Sequence, residues 1–395
     1  MERADLKKWV LATGYAEEHR DAVFLCDPGW GASERSRVPA LQHSVTCPHD
    51  MATGWLCLPT GGSSGGIRFA RHDEQTLGAA LDGFCTHFGV RQVNALHVLP
   101  AYHVSGLMAA IRSAATGGQH VAWSWKQLEA GMWPILPETS DGWFLSLVPT
   151  QLQRLLAQPG AVNRLRHFRA VFIGGGPLWP EVADPAAAAG IPVVIAYGMT
   201  ETGAMVCAQH PGDFNAGDRT CGTPMPHARI EIIDETSDVG LPHGATGLVR
   251  ISGPSIFRGY WPDTMQQTLT TDDLGQFDIQ GRLSIAGRRD AVIITGGKKV
   301  HPLEIEEALR KSGQFTDIAV IGVPDPRWGS RVVACYPQDG APIDQSRIES
   351  ALAALANYKH PKEFLGISPW PRNAQGKINR VSLTAAASAI IESRR

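Results

Sequence analysis

An α/β fold of at least two domains is what this sequence predicts: a large N-terminal domain of layered α/β sheets with a small β-rich subdomain, then a small α+β C-terminal domain. Three observations carry that expectation. Short apolar runs at Ala95–Leu99, Trp143–Val148, Ala170–Ile173 and Val193–Ala196 alternate with helical stretches, as strands joined by helical crossovers do. From about Arg229 to Ala286 the texture changes to alternating or short apolar runs (Arg229–Ile233, Leu248–Ile251, Leu283–Ile285) between Gly, Pro and Asp turns. The tail then has its own αββα-like pattern, with enough chain for a separate unit.

In chain order, a helix is expected near Asp5 to Gly14, and Ala22-Val23-Phe24-Leu25 is a short apolar run. Trp55-Leu56-Cys57-Leu58-Pro59 reads as a strand opening into Thr60-Gly61-Gly62-Ser63-Ser64-Gly65-Gly66-Ile67-Arg68-Phe69. Four glycines there let backbone approach a ligand and three hydroxyls supply donors, which suits polyphosphate; a flexible Gly/Ser linker is the bland alternative. It is not the Gly-x-x-x-x-Gly-Lys-Ser/Thr loop, because Ile67 stands where lysine is needed. Asp73 offers an N-cap, and Leu77, Leu81, Phe84 and Phe88 give one apolar stripe to a helix ending near Gly89. Pro100 to Leu107, with His103 and Ser105, turns from a strand into another apolar helix; a lone histidine there is commonly structural.

Gly174-Gly175-Gly176-Pro177-Leu178 follows the next strand but lacks the Gly-x-Gly-x-x-Gly spacing of a dinucleotide loop. What remains is a tight turn against which a flat base could lie, or a connector. Ile195-Ala196-Tyr197-Gly198-Met199-Thr200-Glu201-Thr202-Gly203 places an aromatic face, a hydroxyl and a carboxylate at the C-terminal end of a strand, where ligands of open α/β sheets gather. A tyrosine can stack on a purine, and a glutamate offers Mg²⁺ a hard oxygen ligand. The same residues also read as a strand-to-helix turn with Thr200 as its cap. Asp273 and Arg288, fifteen residues apart, allow one strand and return, so both could face one nucleoside, or form a surface ion pair. In the tail, a helix is expected over Pro302–Leu309, strands over Ile318–Val323 and Val332–Tyr336, and a helix over Gln345–Leu355, before a polar loop carrying Lys377.

Composition narrows the classes. The 395 residues are 43% hydrophobic, and 36 basic against 38 acidic residues give a formal charge of −2. No broad positive field follows for nucleic acid or an anionic membrane. The first residues are charged where a signal peptide would turn apolar, and no apolar run approaches membrane-spanning length, so a cytoplasmic protein without membrane insertion is expected. Seven scattered cysteines without a Cys-x-x-Cys pair point to a reduced compartment, and His43, Cys47 and His49 fit no common zinc spacing.

Taken in order, these stretches resemble the adenylate-forming superfamily of acyl-CoA synthetases, carrier-loading adenylation domains and luciferases. The resemblance spans about residues 55 to 380 and rests on six segments in the family's order: the loop at Thr60, the His103 segment, Gly174 to Leu178, Tyr197 to Glu201, Asp273 to Arg288, and Lys377. It implies ATP, Mg²⁺, a small carboxylic acid and coenzyme A as the partners, with acyl-adenylate formation followed by thiol attack. Thr60, Ser63, Ser64, Gly65 and Arg68 would hold the β- and γ-phosphates, and Gly174, Gly175 and Gly176 would border the adenine that Tyr197 stacks on. Thr200 would bind the α-phosphate, Glu201 the metal, and Asp273 the ribose with Arg288 alongside. His103, Ser105 and Gly198 would line the acid pocket, and His103, Thr200, Glu201 and Lys377 would be the catalytic set. Asp290 would be the hinge between an N-terminal domain over 1–289, β-rich from about 226, and a mobile C-terminal domain over 290–395.

Two departures stand out. Where the family's phosphate loop usually ends Pro-Lys-Gly, this chain has Ile67-Arg68-Phe69, which keeps charge but not a lysine's geometry. Only some fifty residues precede the loop, so much of the usual N-terminal subdomain is expected to be missing. Compactness and the Tyr102-His103-Val104-Ser105-Gly106-Leu107 segment look most like the 2-succinylbenzoate:CoA ligase branch, of menaquinone and phylloquinone synthesis. Other aryl- or acyl-CoA ligases, a stand-alone enzyme loading a carrier protein, and a non-catalytic nucleotide-binding relative are the alternatives. The assembly is left open between monomer and homo-oligomer.

Overall fold

The computed structural model describes residues 2–19, 22–31, 35, 53–61, 67–262, 267–315, 317–338, 343–372 and 378–394. Two compact units result, one of Met1–Thr271 with Gln276–Ser284, the other of Asp272–Gly275 with Ile285–Arg395. The expected mixed α/β class is what the chain adopts.

The first unit begins with helix Arg3–Ala12 and a sheet of β1 (Ala16–His19), β2 (Ala22–Leu25), β3 (Leu56–Gly61) and β4 (Ile67–His72), in that order. β3 and β4 pair antiparallel with Thr60 opposite Arg68, so the ends of the small-residue loop are fixed by a ladder. Helix Glu74–Phe88 follows, capped as its sequence signals require. Asp73 accepts from the Gln75 and Thr76 amides, and Gly89 ends the helix at φ 61°.

A seven-stranded sheet is the centre of this unit. Its strands are β5 (Asn94–His97), β6 (His120–Ala122), β7 (Trp143–Leu147), β8 (Ala170–Ile173), β9 (Val193–Met199), β10 (Ala204–Ala208) and β11 (Thr223–Pro224), ordered β11-β10-β9-β8-β7-β5-β6. β9, β8, β7, β5 and β6 run parallel, while β10 turns back antiparallel on β9. Period-2 alternation sorts the side chains. Leu145, Val171 and Ile173 pack with Leu152, Leu155 and Val182 of helices Pro149–Leu156 and Pro180–Ala188, whereas Phe144, Phe172 and Val194 pack with Phe84 and Phe88 of helix Glu74–Phe88. The loops leaving β5, β7, β8 and β9 therefore share one edge of a sheet whose two faces are sealed by helices.

β12 (Arg229–Ile233), β13 (Gly247–Ser252), β14 (Thr268–Phe277) and β15 (Leu283–Arg288) form the β-rich sheet in sequence order, and the unit boundary runs through its last two strands. Asp272 and Asp273, expected beside a strand, lie inside β14. The alternation of polar residues in Thr268–Phe277 had hidden a strand exposed on one side.

In the second unit, β16 (Ile293–Thr295) and β17 (Lys298–Val300) make a hairpin, and β18 (Ala319–Asp325), β19 (Gly329–Pro337) and β20 (Glu363–Ile367) make a sheet. Helices Pro302–Lys311 and Gln345–Leu352 cover the face bearing Val320, Val332 and Ala334, and helix Arg380–Ser393 covers the face bearing Ile321, Val323 and Val333. The expected αββα pattern thus gains β20, which pairs parallel with β19, and a closing helix. Among the described residues no helix is long and apolar enough to cross a membrane.

Candidate active site

The site is built from the end of β9. Strand pairing continues through Tyr197 and Gly198 to Met199, so these residues belong to the strand and not to the turn expected after Ala196. Gly198 permits this, since a Cβ there would lie 2.0 Å from the Ala204 carbonyl oxygen of β10. A 3₁₀ turn over Thr200–Thr202 follows and closes on Gly203 at φ 66°. The turn's cap is Thr202 and not Thr200: the Thr202 hydroxyl accepts from the Met199 amide at 3.0 Å and donates to the Ala204 carbonyl at 2.6 Å. Thr200 is held by its backbone, with His72 Nε2 donating to its carbonyl at 2.8 Å. Complete burial pushes His72 down to about 4, so the ring is neutral, and facing a carbonyl Nε2 must carry the proton.

Glu201 is 6% exposed. Its Oε1 accepts from the Thr60 hydroxyl at 3.1 Å and from the Tyr260 hydroxyl at 2.7 Å, and its carbonyl accepts from the Phe257 amide at 2.9 Å. Among the described residues no cationic side chain pairs with this carboxylate, and its Oε2 has no hydrogen bond. A buried carboxylate satisfied only by neutral donors leaves a negative charge for a ligand to neutralise. One oxygen fixed and the other open is a donor set that fits Mg²⁺.

Thr60 therefore joins Glu201 across 141 residues of chain, uniting two segments that the sequence presents separately. Arg68, opposite Thr60 on β4, lies with its guanidinium 4.1 Å from the centroid of the Tyr260 ring. Ser63, Ser64 and Gly65 lie outside the described residues, as do Lys377 and the cluster His43, Cys47, His49.

Two further loops reach the same sheet edge. After β8, Gly175 adopts φ 78°, a Cβ on Gly174 would come 3.2 Å from the Ala196 carbonyl of β9, and one on Gly176 would come 3.9 Å from Pro149. The glycine turn is thus pressed between the exits of β7 and β9. After β5, His103 is the N-cap residue of helix Val104–Ala115 and packs edge-on against Tyr102 at 4.6 Å between centroids. Ser105 lies half-buried in the first turn. Gly106 allows the close approach, because a Cβ would meet the Pro100 carbonyl at 2.2 Å.

Two turns further along that helix stands a residue the sequence reading passed over. Arg112 is 4% exposed, pairs with no carboxylate among the described residues, and has a buried Nε without a hydrogen-bond partner. Burial pushes it down to about 10, which leaves it charged at neutral pH. Its guanidinium lies 4.1 Å from the Phe84 ring centroid, beside a void of about 10 Å³ lined by Phe84, Ala109, Phe144, Ser146 and Phe172. One arginine inside the apolar run Gly106–Ala115 was the available signal. His72 and Tyr260 gave none, since their partners lie 128 and 59 residues away.

In the second unit, Arg288 donates to Asp273 at 3.2 Å and, through Nε and a terminal nitrogen, to the two oxygens of Asp290 at 2.9 Å each. The hydrogen bond to Asp290 is the largest of the effects that raise the guanidinium above its ordinary value. Asp290 itself sits in a 3₁₀ turn over Arg289–Ala291. The flanks of Lys377 are anchored on both sides. Arg372 bridges to Ile378 and donates to Asp317, which also accepts from the Trp370 indole at 3.0 Å, and Arg380 donates to Glu306 at 2.6 Å and to the Val320 carbonyl at 2.8 Å.

The AMP-binding enzyme family matches residues 30–261 and the AMP-binding enzyme C-terminal domain matches residues 304–377. The chain is 29% identical over 350 residues to a 2-succinylbenzoate–CoA ligase of Enterococcus faecalis, covering 85% of this chain and 71% of that protein. It is 31% identical over 296 residues to an indoleacetate–CoA ligase of Aromatoleum aromaticum, covering 72% and 58%. The crystal structure of ATP-bound MatB from Rhodopseudomonas palustris superposes with a TM-score of 0.73 at 28% identity, over 85% of this chain and 68% of that one.

Proposed function

The chain belongs to the AMP-binding enzyme family, and we propose that it activates 2-succinylbenzoate with ATP and transfers the acyl group to coenzyme A. One contact carries the adenylation reading: the Thr60 hydroxyl on Glu201 Oε1, which joins the phosphate-loop strand to the strand end bearing Tyr197 and Thr200. In this reading the acid's carboxylate oxygen attacks the α-phosphorus of ATP and pyrophosphate leaves. The coenzyme A thiol then attacks the acyl carbon and AMP leaves.

Thr60, Ser63, Ser64, Gly65 and Arg68 take the β- and γ-phosphates. Tyr197 stacks on adenine against Gly174, Gly175 and Gly176, and Thr200, fixed through His72, donates to the α-phosphate. Glu201 holds Mg²⁺, which when bound neutralises phosphate charge. Asp273 accepts from the ribose with Arg288 beside it. Lys377 offsets charge on the pentacoordinate phosphorus during adenylation, and Asp290 serves as the hinge before thiol attack. His103, Ser105 and Gly198 border the acid.

The choice of acid rests on Arg112. A buried cation with no carboxylate partner among the described residues, on the helix capped by His103 and among three phenylalanines, suits an aromatic acid with a second carboxylate. Indoleacetate would leave that cation unpaired. Cys26, Cys85, Cys207 and Cys335 are free thiols, which suits the reduced cytoplasm we assign to the enzyme.

Acid-dependent exchange of pyrophosphate into ATP, run over a panel of carboxylic acids, tests the proposal. Exchange should be strongest with 2-succinylbenzoate. ATP binding without exchange for any acid would sink the enzyme reading, and a benzoate or fatty acid winning by orders of magnitude would remove only the choice of acid. Consumption of coenzyme A from preformed acyl-adenylate separates this reaction from loading of a carrier protein.

A further inference from the structure

Tyr260 belongs to no segment the sequence singled out, yet it stands where two of them meet. Residues 258–261 run antiparallel beside β4: the Arg258 amide donates to the Arg71 carbonyl at 2.7 Å, the Arg71 amide to the Gly259 carbonyl at 3.0 Å, and the Trp261 amide to the Phe69 carbonyl at 2.8 Å. Ala70 and Tyr260 form the bridge pair, and Arg68 is the opposite number of Thr60 on β3. Side chains alternate along strands, so Thr60, Arg68, Ala70 and Tyr260 fall on one face of this three-strand patch, and Arg68 is the diagonal neighbour of Tyr260.

The Tyr260 ring is fixed on two sides. The Arg68 guanidinium lies 4.1 Å from its centroid, and the fully buried Phe257 ring meets it edge-on at 4.8 Å. Its hydroxyl, held in this way, donates to Glu201 Oε1 at 2.7 Å, the shorter of the two hydroxyl contacts on that oxygen. Both donors fall on Oε1. That sets the carboxylate's rotation and leaves Oε2 without a hydrogen bond among the described residues.

We propose that Tyr260 is the positioning residue of the metal site, orienting Glu201 toward Mg²⁺·ATP and coupling that carboxylate to Arg68. The inference rests on the adenylation reading. It also accounts for the arginine at 68: a planar guanidinium can lie on the tyrosine face and still present N–H groups to phosphate, whereas an ammonium is a point charge without that plane. In this role Tyr260 acts through Glu201, so its removal should move the metal dependence and not the acid.

The test is Tyr260→Phe, which keeps the ring and its packing and deletes one hydroxyl. Half-saturation by Mg²⁺ in pyrophosphate exchange should rise roughly tenfold, the scale of one hydrogen bond to a charged group. KM for the acid should stay within about twofold. Mn²⁺·ATP binding, followed by electron paramagnetic resonance without any acid present, should weaken by the same factor. Thr60→Val, which removes the other donor from a strand position that a β-branched residue suits, should shift both readouts in the same direction. Unchanged Mg²⁺ and Mn²⁺ values in Tyr260→Phe would overturn the inference, as would equal losses in every kinetic constant, which mark general destabilisation. If wild-type protein binds Mn²⁺·ATP but exchanges no pyrophosphate, the adenylation reading fails, while the Mn²⁺ comparison still decides the role of Tyr260.

Discussion

Replacing Arg112 by methionine separates substrate recognition from stability, because the two should move in opposite directions. The guanidinium is 4% exposed with Nε unpartnered, and burial lowers it to about 10 from 12.5, roughly 3 kcal/mol against the charged form. An apolar side chain of similar volume removes that cost, and forgoes about 0.5–2 kcal/mol of contact with the Phe84 ring. Thermal stability should therefore hold or rise. Binding of the dicarboxylate has the contrary balance. The void beside Arg112 is about 10 Å³, about one water's worth, so an acid can enter only by displacing side chains, and the ion pair it forms must offset that displacement. With methionine at 112 the second carboxylate is buried without a cation, a loss of about 3–5 kcal/mol. kcat/KM for 2-succinylbenzoate should fall roughly 10²- to 10⁴-fold, measured by exchange alongside indoleacetate and a melting curve. Equal losses for mono- and dicarboxylic acids, or a melting temperature several degrees lower, would show that Arg112 is a structural residue.

Lys377→Ala should slow adenylation by roughly 10²–10³, the scale for removing one preorganised charge from a developing oxyanion, and leave thioester formation from supplied acyl-adenylate intact; pyrophosphate exchange and coenzyme A consumption measure the two steps. Asp290→Pro fixes φ near −65° and restricts Arg289, so it should retain adenylation while slowing transfer to coenzyme A; equal losses in both rates would indicate destabilisation. Stability should fall between pH 6.5 and 4, because His72 is held at about 4 by burial against about 6.5 unfolded. The unfolded chain then binds the extra proton first, so the contribution is complete above pH 6.5 and lost on acidification, on the order of 3 kcal/mol for this ring; urea midpoints across that range check it, and His72→Gln should flatten the slope.

The division between what the sequence disclosed and what it concealed follows the range of the interactions. Asp73 capping its helix, Gly89 ending it, and the parallel strands at Ala170 and Val193 are set within a few residues of chain, where period, cap and turn chemistry act. β14 was hidden because its exposed face carries polar residues in the place of an apolar run. The site divides in the same way. Thr60, Tyr197, Thr200 and Glu201 stand out in the sequence because their neighbours form motifs with fixed spacing, and the structure joins Thr60 to Glu201. Tyr260 and His72 stand in no motif, since each acquires its task from a partner brought to it by strand pairing or helix packing. Arg112 lies between these cases: an arginine in Gly106–Ala115 is visible in one dimension, but only the closure of helix Glu74–Phe88 and strands β5, β7 and β8 around it leaves its charge buried without a carboxylate among the described residues. Under the proposed pairing, the residue that reports most on the acid is therefore the one whose burial is costly until a carboxylate pairs with it.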